Sequence, residues 1–197
     1  YQPTNALSLS IRPSFNRFRR HIQNVTDQDF NGDQIKRWNS STSSFELVAT
    51  MPAPKFWAGA ELMGDKVYIF GGQPSFGGND SPQKSIYQYD VNTKGFREYQ
   101  LPKAVHWTFT APYKENVLLA GQVQSIGQTF SNDTVIGVFN TSAKTFHPIN
   151  INLPNDGPTS IFDIAAIGDK VYVLHGTQDI SSSVDVTWTI YEAALDF

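Results

Sequence analysis

Two aromatic ladders run through the chain at one spacing. Phe45, Phe96, Phe146 and Phe197 lie 51, 50 and 51 residues apart, and Trp38, Tyr89, Phe139 and Tyr191 lie 51, 50 and 52 apart. Two independent sets of residues holding a period of ~50 mark a repeated structural unit. A longer motif keeps the same beat. DKVYIFGG at 65–72 aligns with ENVLLAGQ at 115–122 and DKVYVLHG at 169–176. An apolar–proline pair stands upstream of each copy: Met51-Pro52, Leu101-Pro102 and Leu153-Pro154. Between pair and motif, Trp57 and Trp107 are in register, with Ile161 near the third position.

Each unit reads as β-structure. Val67, Tyr68, Ile69 and Phe70 form a continuous apolar run, the pattern of a strand covered on both faces. Downstream, SIYQYDVNTKGF, TVIGVFNTSAKTF and TIYEAALDF each give a β-rich run, a polar turn and an aromatic, and QIKRWNSSTSSF supplies an earlier copy. Polar clusters separate the runs, and no stretch holds a long 3.6-residue apolar period. The first full unit is therefore expected to contain four antiparallel strands, at about 57–63, 66–71, 85–90 and 95–99. Such a sheet is apolar on both faces and must stack on its neighbours. At the end of the second strand a glycine permits positive φ and lets another segment pass closely. The aromatic that opens each fourth strand fills the gap between adjacent sheets.

The double glycine after a β-run, the Tyr-Asp before a turn and the Met-Pro or Leu-Pro start resemble kelch repeats of the galactose-oxidase-like propeller group. The resemblance covers Gln34 to Phe197 and is clearest in the first full repeat. It implies an all-β chain, a partial kelch-like β-propeller of about 3.5 four-stranded blades. The divisions are an N-terminal segment at 1–33, half a blade at 34–50, and blades at 51–100, 101–150 and 151–197. NALSLSIRP supplies material for one strand, so the N-terminal segment either completes a blade or contacts a neighbour. Later copies depart from the family pattern: Gly121-Gln122 and His175-Gly176 replace the glycine pair, and Lys55 and Lys103 stand where an arginine often follows the proline.

Closed propellers have ~4–8 blades, so this count leaves two terminal faces open. If each exposes on the order of 500 Å² of apolar surface, its burial is worth about 12 kcal/mol before association costs. The expected partners are the remainder of a longer propeller, a second copy that closes a ring, or head-to-tail neighbours.

Composition narrows the function classes. The chain is 40% hydrophobic and 17% charged, ordinary for a folded domain. A net charge of −3 gives no reason to expect nucleic acid as a partner. Arg12, Arg17, Arg19, Arg20 and His21 form one short basic cluster, read as a solvated segment. No apolar run approaches the ~18 residues of a membrane span. The absence of cysteine removes disulfides, thiolate metal sites and thiol catalysis. It also removes the cysteine–tyrosine crosslink that the copper-radical oxidases of the resembled group require. His21, His106, His147 and His175 show no metal-ligand spacing, and no cofactor is expected. The chain begins at Tyr1, as a processed chain or a piece of a longer one would.

Asn24, Asn39, Asn79, Asn132 and Asn140 each open an Asn-x-Ser/Thr triplet, which makes them candidate glycosylation sites and points to the secretory pathway. A cytoplasmic location is the alternative if the triplets are fortuitous. Binding function is expected in the loops that join second to third strands, which are long and dissimilar. Phe76, Asn79, Asp80, Gln128 and Phe130 are the candidates there, with His175 added because it replaces a motif glycine. The expected function is a secreted, non-catalytic module that binds protein or carbohydrate, or assembles with itself. The alternative is a galactose-oxidase-like or sugar-epimerase-like enzyme with its site at the propeller pore, for which Asp163 and His175 are the residues to test.

Overall fold

A computed structural model describes residues 32–75, 81–123, 133–153, 159–178 and 186–195. Its elements are all β-strands: β1 (Gln34–Asn39), β2 (Ser44–Thr50), β3 (Gly59–Met63), β4 (Lys66–Phe70), β5 (Gln83–Asp90), β6 (Phe96–Tyr113), β7 (Asn116–Gln122), β8 (Thr134–Asn140), β9 (Thr145–Pro148), β10 (Thr159–Ile167), β11 (Lys170–Gln178) and β12 (Val186–Ala194). Every pairing is antiparallel and joins strands consecutive in sequence. No helix of the described residues is long and apolar enough to cross a membrane.

The strands make a β1–β2 hairpin, a seven-stranded sheet from β3 to β9, and a three-stranded sheet from β10 to β12. The long β6 changes partner midway. Its first half pairs with β5 and its second half, from His106, pairs with β7. The sequence separates a strand ending near 99 from the next beginning near 107, whereas the backbone stays extended across the link. Pro102 has no N–H to donate, so it is tolerated where the strand leaves one ladder for the other.

This change of partner lets the sheet fold on itself. Tyr68, Phe70 and Ile86 from its first half pack on Val117, Leu119, Val135 and Phe139 from its second half. The β1–β2 hairpin covers the other face of the first half through Ile35, which meets Val67, Ile69, Tyr87 and Tyr89. The last sheet covers the far face of the second half, where Leu118, Ala120, Ile136 and Val138 meet Ile161, Ile164, Val171 and Val173. Four sheet units thus stack in chain order through three apolar layers. Among the described residues the strands close no ring.

The aromatic ladders are explained by pairing. Trp38 lies opposite Phe45, Tyr89 opposite Phe96 and Phe139 opposite Phe146, each pair closing the hairpin between its two strands. Cross-strand aromatic pairs contribute roughly 0.2–1 kcal/mol each. The fourth rung differs. Tyr89 and Phe139 pair with Val67 and Val117, but Tyr191 pairs with Val173 rather than with Val171. A two-residue offset keeps Tyr191 on the same face, because side chains alternate with period two.

The turns repeat as well. Gly64, Lys114 and Gly168 open the two-residue hairpins with φ of 61°, 52° and 60°, and Ser43, Lys94 and Lys144 take φ of 49°, 57° and 61° in the hairpins that the ladders close. Asp90 accepts from the N–H groups of Asn92 and Thr93, both at 2.9 Å, and Asn140 accepts from Ser142 at 3.0 Å and Ala143 at 2.7 Å. These side chains hold the turn in place of a backbone acceptor.

The double glycine carries the close approach expected of it. Gly71 has φ of 59°, and a Cβ there would stand 2.4 Å from the Val105 carbonyl oxygen; Gly72 has φ of 91°. Gly71→Ala is therefore expected to cost about 2–4 kcal/mol. At Gly64 φ is similar, but nothing lies within 4 Å of the added carbon. There alanine should cost only the left-handed backbone penalty of about 1–2 kcal/mol. Urea denaturation of the two variants separates conformation from contact, and equal losses would remove the role given to Val105.

Candidate functional site

A group of buried and half-buried polar side chains gathers at one end of the strands, away from the tight hairpin turns. Lys55 enters there just before β3, Gln73 follows the end of β4, Gln83 and Ser85 begin β5, and Gln122 ends β7. A bulge in β6 adds His106 and Trp107.

Lys55 is fully buried. Its ammonium donates to the Gly71 and Ser85 carbonyls at 2.9 Å, to Gln83 Oε1 at 2.9 Å and to Ser85 Oγ at 2.7 Å. The Nζ also lies 4.4 Å from the centre of the Tyr87 ring. A buried ammonium persists only where its protons find acceptors, and this site supplies more than three. Burial still pulls its pKa down from 10.5 to about 7, opposed by the Glu98 carboxylate. Lys103, the matching lysine of the next repeat by sequence, is exposed and pairs with Asp133 at 2.9 Å. The two positions resemble each other in sequence only. By chain spacing and bulge register, the counterpart of Lys55 is Val105, which is also fully buried.

Next to Lys55 the backbone turns sharply. Phe56 bridges to Gln73, and Trp57 takes φ of 55°. Fifty residues on, His106 pairs with Gln122 and Trp107 takes φ of 47°. A left-handed backbone at a bulky side chain is a genuine outlier and costs of order 1–3 kcal/mol. Thr108 holds the pair: its N–H donates to the Trp57 carbonyl at 3.1 Å, its hydroxyl donates to the Phe70 carbonyl at 3.0 Å, and that hydroxyl accepts from the Gly59 N–H. The two indoles meet edge to face, 6.3 Å between centroids and 68° between planes. Trp57 is half-buried and Trp107 is 38% exposed.

The His106 ring lies 5.9 Å from that of Trp107. Gln73 Nε2 is 2.9 Å from His106 Nδ1. An amide nitrogen can only donate, so Nδ1 accepts and the neutral ring carries its proton on Nε2. Burial lowers the His106 pKa, which favours that neutral form at pH 7. Chemically the cluster offers the exposed Trp107 indole and the half-buried Trp57 and His106 rings, with the buried Gln73 amide serving His106 and the Lys55 cation covered by its own acceptors. Among the described residues, no group of three or more His, Cys, Asp or Glu side chains is placed to hold a metal ion.

The residues singled out in the sequence fall differently. Phe76, Asn79, Asp80, Gln128, Phe130, Asn132 and Asn24 lie outside the described residues. His175 is 2% exposed in β11, edge-on to Tyr191 at 5.7 Å, which is a core environment. Asp163 sits beside the bulge of β10, and its carboxylate accepts from the Ile164 N–H. Asn39 and Asn140 both sit at the start of a hairpin turn, where Asn39 Oδ1 accepts from the Ser41 N–H at 2.9 Å. Turn chemistry thus accounts for asparagine at both positions. Sequence reading passed over Gln73, Gln83, Ser85 and His106 as site residues. Only the alignment of His106 on Phe56 carried a signal, since it puts a polar ring where the other repeat has an apolar one.

Removing the Lys55 cation takes the donor from the Gly71 carbonyl and leaves the Ser85 carbonyl with the Gly71 N–H, so Lys55→Met is expected to lose about 1–3 kcal/mol of stability. The pH dependence has a definite sign. Lys55 titrates near 10.5 when unfolded and about 7 when folded, so between those values the unfolded chain binds more protons and stability rises with pH. Below about 7 both states are protonated and the contribution is flat. Urea midpoints at pH 6.5, 8 and 9.5 should rise more steeply in the parent than in Lys55→Met, and parallel curves would refute the shift.

Neither a scan of protein-family models nor a search of curated proteins finds a match to the chain.

Proposed function

We propose that the chain is a kelch-like propeller module of about 3.5 blades, secreted and glycosylated, that works by binding and assembly rather than catalysis. In this reading β1 and β2 are the third and fourth strands of a blade, residues 51–100 and 101–150 make whole blades, and β10–β12 are three strands of another. Further chain or other subunits cover the open ends.

The observation that carries this reading is the apolar surface at both ends of the stack. On the β1–β2 hairpin Trp38, Phe45 and Leu47 are exposed, with Phe45 48% accessible. On the last sheet Phe162, Trp188 and Ile190 are exposed, Trp188 at 52% and Ile190 at 67%. Trp38 and Ile190 hold repeat positions that are buried inside the stack, at Phe139 and Ile86. Trp38 and Phe45 correspond to Phe139 and Phe146, which receive the preceding unit. Leu174 and Ile190 face each other as Phe70 and Ile86 do, and that pair presses onto the following unit. One end therefore offers the surface that the other is built to accept. Head-to-tail contact would continue the internal packing and bury surface that favours aggregation when left in water.

Light scattering of the purified chain is expected to give a mass above the 22.0 kDa of one copy, or a stable complex with the segment that completes it. Trp188→Ser with Ile190→Lys should return the assembly to monomers without unfolding them. A parent that stays monomeric and binds no such segment would defeat the assembly reading. Secretion is tested separately: material from a secreting host should lose mass on enzymatic deglycosylation, and no change would remove the glycoprotein assignment.

A further inference from the structure

Backbone strain at a bulky residue is retained only where something compensates for it. Trp57 and Trp107 are both held at positive φ, at equivalent positions of adjacent repeats, and Trp107 remains 38% exposed. Packing alone does not account for an exposed, strained indole, since a glycine there would relax the backbone. The strain instead fixes the relative placement of two rings, 6.3 Å apart at 68°, so that they form the walls of a corner. Beside that corner stand the His106 imidazole and the Gln73 amide, joined at 2.9 Å.

We propose that the corner formed by Trp57 and Trp107, with His106 and Gln73 beside it, binds a neutral pyranose unit of an oligosaccharide. A pyranose has an apolar C–H face and a rim of hydroxyls. The face stacks on the Trp107 indole, and a rim hydroxyl accepts from the His106 Nε2–H; the Gln73 amide, 1% exposed, acts from behind by orienting that ring through Nδ1. The charge pattern selects a neutral sugar. Lys55 is fully buried under its own acceptors, and Lys103 is paired with Asp133, so neither of these lysines is offered to a carboxylate or sulfate. A proline-rich peptide also uses aromatic walls, but it docks between roughly parallel rings along an extended groove rather than into a corner closed by an imidazole. This inference rests on the binding-module reading and not on its assembly half.

The test is a tryptophan-fluorescence titration of the whole chain with cello-, malto-, manno- and chito-hexaose, alongside a galacturonan hexamer and a proline-rich decapeptide. At least one neutral oligosaccharide should give saturable binding, weakened tenfold or more in Trp107→Gly. That variant also relieves positive φ, so it should melt no lower than the parent while losing the sugar; Trp107→Ala provides the same loss without added backbone freedom. Calorimetry replaces fluorescence for these variants. No binding of any neutral sugar by folded parent overturns the proposal, as does binding of only the acidic hexamer or only the peptide, or unchanged affinity in Trp107→Gly. Light scattering on the same samples keeps the two readings apart: a monomer that binds sugar retains this site and loses assembly, and an oligomer that binds none does the reverse.

Discussion

The architecture depends on one crowded junction, where the end of β4 passes under β6. Gly71 donates its N–H to the Ser85 carbonyl at 3.1 Å, Gly72 donates to the Val105 carbonyl at 2.8 Å, and the Gly71 carbonyl accepts from Lys55. A side chain on either glycine would occupy space already filled by backbone. Because nothing is there, β6 can leave the β5 ladder at Val105 and begin pairing with β7 one residue later. That switch folds the seven-stranded sheet into two facing halves, and the apolar layer between them follows from it.

The same junction explains why a buried cation is tolerated. Gly71 and Ser85 present carbonyl oxygens to the interior at a point where the ladder is irregular. An unpartnered buried carbonyl costs about as much as a lost hydrogen bond. Lys55 donates to both. One repeat later, Val105 fills the corresponding place with a plain apolar side chain. Two repeats alike in period thus use opposite chemistry at the rim, which makes the rim the natural place for specificity to differ between units. The tryptophan corner is built on the same stretch: Trp57 and Trp107 each lie two residues beyond these positions.

The ends of the stack obey the logic of its middle. A unit that is apolar on both faces needs a neighbour on each side, and among the described residues the first and last units each have one. Trp38 at one end and Ile190 at the other occupy the repeat's own contact positions.

Much of the fold was legible in the residues alone. The period of ~50 located the units, and three rungs of the ladders are cross-strand pairs because one residue on each arm of a hairpin must face the other, while Phe197 lies outside the described residues. The glycine pair marked its junction, since no other residue combines positive φ with such close approach. Those features are local, so they survive in a one-dimensional pattern. What lay beyond the sequence is what distant chain supplies. Lys55 and Lys103 look alike as letters, yet one is sealed under Gly71, Gln83 and Ser85 while the other meets solvent and Asp133. His106 became a neutral hydrogen-bond partner only when β4 brought Gln73 beside it. Trp57 and Trp107 aligned in sequence, but their strain, exposure and mutual angle arise from the bulge that Thr108 anchors. Sequence by itself determined the repeat and the antiparallel strands within it; the unbroken course of β6, its change of partner, burial, charge state and the meeting of side chains from different strands were decided only by tertiary structure, because each depends on atoms that are remote along the chain.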